Sequence, residues 1–148
     1  MTQKKPKNPK KPKAAKKPAA KHFEELLSTM RALRAPEGGC KWDKAQTHET
    51  LIKCLQEEAQ EVVDAINNKD DDNLKEELGD LLLQVVFHAA IAAEQNRFDI
   101  TDVIEGINQK LIRRHPHVFA GAPAATPEEA LRRWREIKKK EKESKSKK

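Results

Sequence analysis

An all-α fold is predicted by three features of this 148-residue sequence. Apolar residues recur at helical spacing in five segments. No segment alternates apolar and polar residues with the β-branched enrichment of a strand, and recognisable start and stop signals separate the periodic stretches. The length suits about one domain with a modest core, and no internal repeat is visible.

The first helix is predicted over residues 22–35, where Phe23, Leu26, Leu27, Met30 and Leu33 share a face; Pro36 and Gly38-Gly39 end it. The connector PEGGCKWDKAQ shows no periodicity and reads as a loop. A second helix is expected from about Thr47 to Asn67, with Leu51, Leu55, Val62 and Ala65 on one stripe and Ile66 at its edge. The polar turn NNKDDDN leads to a third helix, about 72–95. There Leu81, Leu82, Leu83, Val85, Val86 and Phe87 point in every direction, the pattern of a buried helix. A fourth, about 100–114, is announced by Thr101 and Asp102, directs Val103, Ile104, Ile107 and Leu111 inward, and is stopped by His115-Pro116. The fifth has Thr126 as cap, Pro127 in its first turn and Glu129 to complete a capping box; it runs through Trp134 and Ile137 and frays into a Lys-rich end.

Charge is divided unevenly. Residues 1–21 carry nine Lys and no acid, and residues 138–148 carry seven Lys against Glu141 and Glu143; removing this +9 and +5 from the overall +6 leaves −8 for residues 22–137. The expected organisation is therefore an acidic helical domain over 22–140 between disordered Lys-rich tails, 1–21 and 141–148. A folded nucleic-acid binder would concentrate its cations on one face of the domain. Here they lie at the ends, which suits a solubilising tail or weak, nonspecific attraction to polyanions. No apolar run approaches the ~18 residues of a membrane span, and the N-terminal tail lacks the apolar region of a secretory signal. Two cysteines, Cys40 and Cys54, are too few for a disulfide scaffold or a cysteine zinc site, so a reducing cytoplasm is expected.

A carboxylate interrupts the apolar stripe of the second helix: Glu58 falls inside it and Glu61 on its border. Burying an ionised carboxylate costs several kcal/mol, roughly, unless something compensates. The third helix carries a matching polar stripe, Glu77, Asp80, Gln84 and His88, on an otherwise apolar surface. If the two helices pack antiparallel across their short connector, two i, i+3 acidic pairs converge, and their repulsion calls for a cation. Oxygen-only ligands select Mg²⁺ or Mn²⁺. Either acidic pair alone is an ordinary solvated helix face; their coincidence on facing apolar surfaces is the signal. A di-iron carboxylate bundle needs Glu-x-x-His pairs, which this sequence lacks, and His88 reads as a hydrogen-bonded core residue. Lys110 and Arg114 lie four apart on the fourth helix, with Trp134 and Lys138 at the same spacing on the fifth. Read alone, the first pair is a basic helix end favoured by the macrodipole, and Trp134 a core or interface anchor. Beside a magnesium site, the same cations suit phosphate oxygens.

The runs GGCKWDKAQTHETL, LQEEAQEVVDAI, EELGDLLLQVVFHA, RFDITDVIEGINQKLIRRHPHVF and RRWREIKKKEK resemble the MazG family of nucleoside triphosphate pyrophosphohydrolases, in family order and over about residues 23–141. The resemblance implies an all-α, four-helix-bundle-like domain in an intertwined homodimer or higher oligomer. It also implies Mg²⁺-dependent hydrolysis of NTP or dNTP to monophosphate and pyrophosphate. By the same resemblance Glu58, Glu61, Glu77 and Asp80 match metal ligands, Glu57 is a supporting carboxylate, and Lys110, Arg114, Trp134 and Lys138 match positions that handle phosphate and nucleotide. Glu57 or Glu61 is the expected base for the attacking water. The chain departs from the family pattern at Cys40-Lys41-Trp42-Asp43, where similar sequences read Cys-Pro-Trp-Asp, and it holds one such domain where some relatives carry two. Two other readings stay open: a pyrophosphohydrolase for one nucleotide such as dUTP or phosphoribosyl-ATP, and a non-catalytic helical module tethered to nucleic acid by its tails.

Overall fold

A computed structural model describes residues 18–121 and 123–146, apart from the side chain of Lys145. The tail expected over residues 1–21 falls mostly outside the described residues. All regular structure among the described residues is helical. The chain divides at Gln46/Thr47 into two units.

The first unit holds α1 (Ala19–Leu33) and α2 (Lys41–Ala45). The α1 stripe predicted from the sequence is graded, with Met30 buried, Phe23, Leu26 and Leu27 half-buried and Leu33 exposed. Gly38 and Gly39 turn the chain back after α1. Gly38 has φ +73°, and a Cβ on Gly39 would lie 2.7 Å from the Leu33 carbonyl oxygen, a separation only glycine tolerates. The Cys40 amide then donates to the Leu33 carbonyl at 2.8 Å. Lys44 Nζ donates to the Pro36 carbonyl at 2.8 Å and the Arg34 guanidinium to the Asp43 carbonyl. The connector read as a loop thus contains one helical turn, α2, too short to show a period of 3.6.

The second unit is built on a helical hairpin, α3 (Ile52–Asn68) packed along α4 (Asp71–Glu94). α3 ends with Lys69 in the left-handed conformation, φ 56°, and with the Asp70 amide bonded to the Ala65 carbonyl at 3.1 Å. Asp70 immediately caps α4, its carboxylate accepting from the Asn73 amide at 3.1 Å. The turn therefore closes one helix and opens the next with no spare residues. α5 (Ile100–Arg114) begins at a complete capping box between Asp99 and Asp102, one turn element earlier than the expected Thr101-Asp102 signal. α6 (Pro116–Phe119) is a single turn beyond α5, and α7 (Pro127–Lys145) packs back on α5. Thr126 accepts from the Glu129 amide at 3.2 Å as expected, but Glu129 returns the bond to the Ala125 amide rather than to its own cap.

Three expectations are corrected. α7 continues through Lys145, past the boundary at residue 140 that Lys-rich composition suggested, where the i, i+4 pair Lys139–Glu143 and the bonds of Glu141 to Arg113 and Arg114 support it. α4 is not buried all round: Gln84, Val86, Phe87, Ala89, Ile91 and Ala92 are buried, whereas Leu78, Leu82 and Val85 are exposed. On α3 and α5, Leu55, Ile66, Ile104, Ile107 and Leu111 are likewise exposed instead of facing a core. A helical wheel states which side chains share a face but not what covers that face. Among the described residues no helix is long and apolar enough to cross a membrane.

Candidate metal centre and basic cluster

The antiparallel α3–α4 hairpin brings the two acidic pairs together. Glu58 of α3 and Glu77 and Asp80 of α4 each offer a carboxylate oxygen, and the three oxygens lie within 4.8 Å of one another. All three residues are half-buried, and Glu61 stands at the solvent side of the group. Burial first, then the charges of Asp80 and Glu61, push the Glu58 carboxyl above its ordinary pKa. Glu77 is pushed up by burial, then by Glu61 and Asp80. Glu61 adjoins this group and adds to the upward push on both carboxyls. Glu57 lies on the exposed side of α3, ion-paired to Lys53 at 3.3 Å, and acts on Glu58 only through its charge.

No cation of the chain is paired with Glu58, Glu61, Glu77 or Asp80 in the ion pairs of the described residues. Packing of the hairpin holds like charges close, and the set offers only oxygen. Hard divalent ions accept such a donor set, whereas zinc and copper sites draw on nitrogen or sulfur.

Further along α4, His88 Nδ1 lies 2.7 Å from His48 Nδ1, with the rings stacked at 5.0 Å. The other nitrogen of His48 is bonded to the Arg97 guanidinium, which can only donate. That network assigns the His48 proton to Nδ1, directed at His88 Nδ1, and leaves the His88 proton on Nε2, which is buried without a partner. Burial, then His48, lowers the His88 pKa. His88 is thus hydrogen-bonded, as its place on a mostly apolar helix suggested. The Gln84 carbonyl oxygen, one turn earlier, is also buried without a partner.

The second constellation joins α5 to α7. The Arg114 guanidinium and the Lys138 ammonium each lie 5.0 Å from the centre of the Trp134 ring. Glu141 completes the group: its Oε2 accepts from Arg114 Nε at 3.0 Å and Nη2 at 2.6 Å, and its Oε1 from Arg113 Nε at 2.6 Å. These bonds hold the Glu141 carboxyl down at about 2. Three of the four residues singled out on α5 and α7 therefore meet; Lys110 stays exposed and outside the group. Glu141 is not marked by its immediate surroundings, which are Lys-rich and tail-like in composition. The available signal was its register: Trp134, Lys138 and Glu141 follow i, i+4, i+7 on one face. His48 and Arg97 carried no such signal, since His48 lies 40 positions from His88 and 49 from Arg97.

Comparison with known proteins gives these clusters a setting. Residues 46–119 match the family described as the MazG nucleotide pyrophosphohydrolase domain. A Thermotoga maritima protein named nucleoside triphosphate pyrophosphohydrolase/pyrophosphatase MazG is 56% identical over 120 residues, covering 81% of this chain and 45% of its own length. An Escherichia coli K12 protein named nucleoside triphosphate pyrophosphohydrolase is 50% identical over 124 residues, covering 84% and 47%. The crystal structure of a mazG-related protein from Thermotoga maritima superposes with a TM-score of 0.64 at 34% identity, covering 78% of this chain and 98% of that one. The chain thus spans about half the length of these two named curated relatives. Both acidic pairs fall inside the matched segment, whereas Trp134, Lys138 and Glu141 lie beyond it. This chain belongs to the MazG nucleotide pyrophosphohydrolase domain family.

Proposed function

We propose that the chain hydrolyses nucleoside triphosphates, ribo- or deoxyribo-, to monophosphate and pyrophosphate, with Mg²⁺ (or Mn²⁺ in its place) held by Glu58, Glu61, Glu77 and Asp80. The observation that carries this reading is the convergence of Glu58, Glu77 and Asp80 oxygens within 4.8 Å, with no ion pair to a cation among the described residues. When bound, the divalent ion supplies a water of lowered pKa and neutralises charge on phosphate oxygens. Water attacks the α-phosphorus, the bond from that phosphorus to the bridging oxygen breaks, and pyrophosphate leaves. Glu61, open to solvent beside Glu58 and Glu77, orients the water and takes its proton; Glu57, occupied by Lys53, supports the cluster through its charge. Lys110 and Arg114 receive the pyrophosphate oxygens, and Trp134 with Lys138 steadies the nucleotide.

The same reading has the active form as a homodimer or higher homo-oligomer. Ile52, Val63, Ile66, Leu78, Leu82 and Val85 expose apolar surface on the hairpin that carries the carboxylates, and a second copy is the natural cover. A nucleotide-pool substrate and two free cysteines, Cys40 and Cys54, favour a cytoplasmic setting, and the Lys-rich tails add weak polyanion attraction. The test is a product assay over a panel of NTPs and dNTPs with Mg²⁺. Monophosphate plus pyrophosphate is expected, and diphosphate plus phosphate from every substrate would refute the proposal.

A further inference from the structure

Arg114 is held from two directions. The Trp134 ring supports the guanidinium at 5.0 Å, and Glu141 occupies its Nε–Nη2 edge through one carboxylate oxygen. The other oxygen of Glu141 takes Arg113 Nε, so a single carboxylate offsets two adjacent arginines that would otherwise repel each other. The arrangement is largely shielded: the side chains of Arg114 and Glu141 are 14% and 20% exposed. A guanidinium has five donors, and Glu141 uses two of them, which leaves the Nη1 side for a second anion. An arginine side chain is rich in rotamers, and fixing it before the ligand arrives removes that entropic cost from binding.

We propose that Glu141 is a positioning residue for phosphate recognition, locking Arg114 beside Trp134 so that its remaining edge meets the pyrophosphate portion of the substrate. This rests on Arg114 binding phosphate, as argued above. Two other roles give different results. Glu141 as a simple clamp between α5 and α7 predicts a loss of thermal stability with no change in anion affinity once folded. Glu141 as a stand-in that must be displaced predicts tighter binding when its charge is removed.

The experiment is calorimetric titration of the full chain with inorganic pyrophosphate in Mg²⁺, together with kcat and KM, for wild type, Glu141→Gln, Arg114→Ala and the double variant. Loss of a charge-assisted bond predicts that Glu141→Gln weakens pyrophosphate affinity by about tenfold and raises KM in step. On the Arg114→Ala background the same change should have no further effect, because Glu141 acts through Arg114. The Arg114 Nε–H resonance is expected to be protected from exchange in wild type and to lose that protection in Glu141→Gln. Unchanged or tighter pyrophosphate binding in folded Glu141→Gln, with Arg114→Ala weakened, overturns the positioning role alone. Unchanged binding in Arg114→Ala overturns the phosphate role of Arg114 and this inference with it. Should Glu141→Gln fail to fold, Glu141→Asp, which keeps the charge on a shorter stem, is expected to show a smaller loss of affinity; wild-type affinity there counts against the proposal.

Discussion

The acidic cluster on α3 and α4 and the basic cluster on α5 and α7 meet charge in opposite ways. Among the basic residues, Arg113 and Arg114 are offset within the chain by Glu141, whose carboxyl drops from 4.5 to about 2. In the acidic group Glu58 and Glu77 are pushed upward by burial and by neighbouring carboxylates, with no ion pair to a cation among the described residues. With one cluster balanced and the other unbalanced among the described residues, an electrostatic demand is stored at the second. The demand costs stability while empty and becomes affinity when a cation arrives.

The contrast predicts its own strongest test. Asp80→Asn or Glu61→Gln should lower Mg²⁺-dependent pyrophosphate release by about a thousandfold or more while far-UV circular dichroism stays helical. Undiminished turnover in either variant would defeat the site assignment. Next in size is the response to the cation itself. Mg²⁺ at about a hundred times its dissociation constant should stabilise wild type by about 2.7 kcal/mol in thermal melts, and Asp80→Asn should lose most of that gain.

Smaller effects follow from pH, with opposite signs for the two clusters. Glu141 has a folded pKa below its unfolded one, so its contribution is present above 4.5 and disappears as pH falls from 4.5 toward 2. Wild type should therefore melt higher than Glu141→Gln at neutral pH, and the gap should close near pH 2. Glu77 has a folded pKa above 4.5, so its effect is least unfavourable below 4.5 and grows more unfavourable as pH rises through the raised value. In chelator, Glu77→Gln should match wild type at pH 4 and exceed it in melting temperature at pH 7. An identical pH trend for both variants would show that the clusters do not differ as described.

Much of this was readable from residue order because the governing physics is local. The cap at Thr126, the polar turn between α3 and α4, the glycine turn after α1 and the Glu58/Glu61 and Glu77/Asp80 pairs depend on neighbours within one or two helical turns. The parts that were not readable depend on distant partners. Nothing local to Glu141 marks it as the counter-ion of Arg113 and Arg114, and the Lys-rich surroundings argued for a tail. His48 finds His88 forty positions away, a meeting that α3 and α4 create. Exposure of Leu78, Ile104 and Leu111 was equally hidden, since periodicity groups side chains without naming their cover.

Residue order by itself determined the helical class, the turn between α3 and α4, and the presence of two acidic pairs on neighbouring helices, because hydrogen bonding and side-chain register within a helix are set by residues a few positions apart. Only tertiary structure decided that Glu58, Glu77 and Asp80 share one small volume and that Arg114 is claimed by Glu141. Those distances depend on how helices pack, and packing is settled by the sum of many buried contacts along each helix pair rather than by any motif.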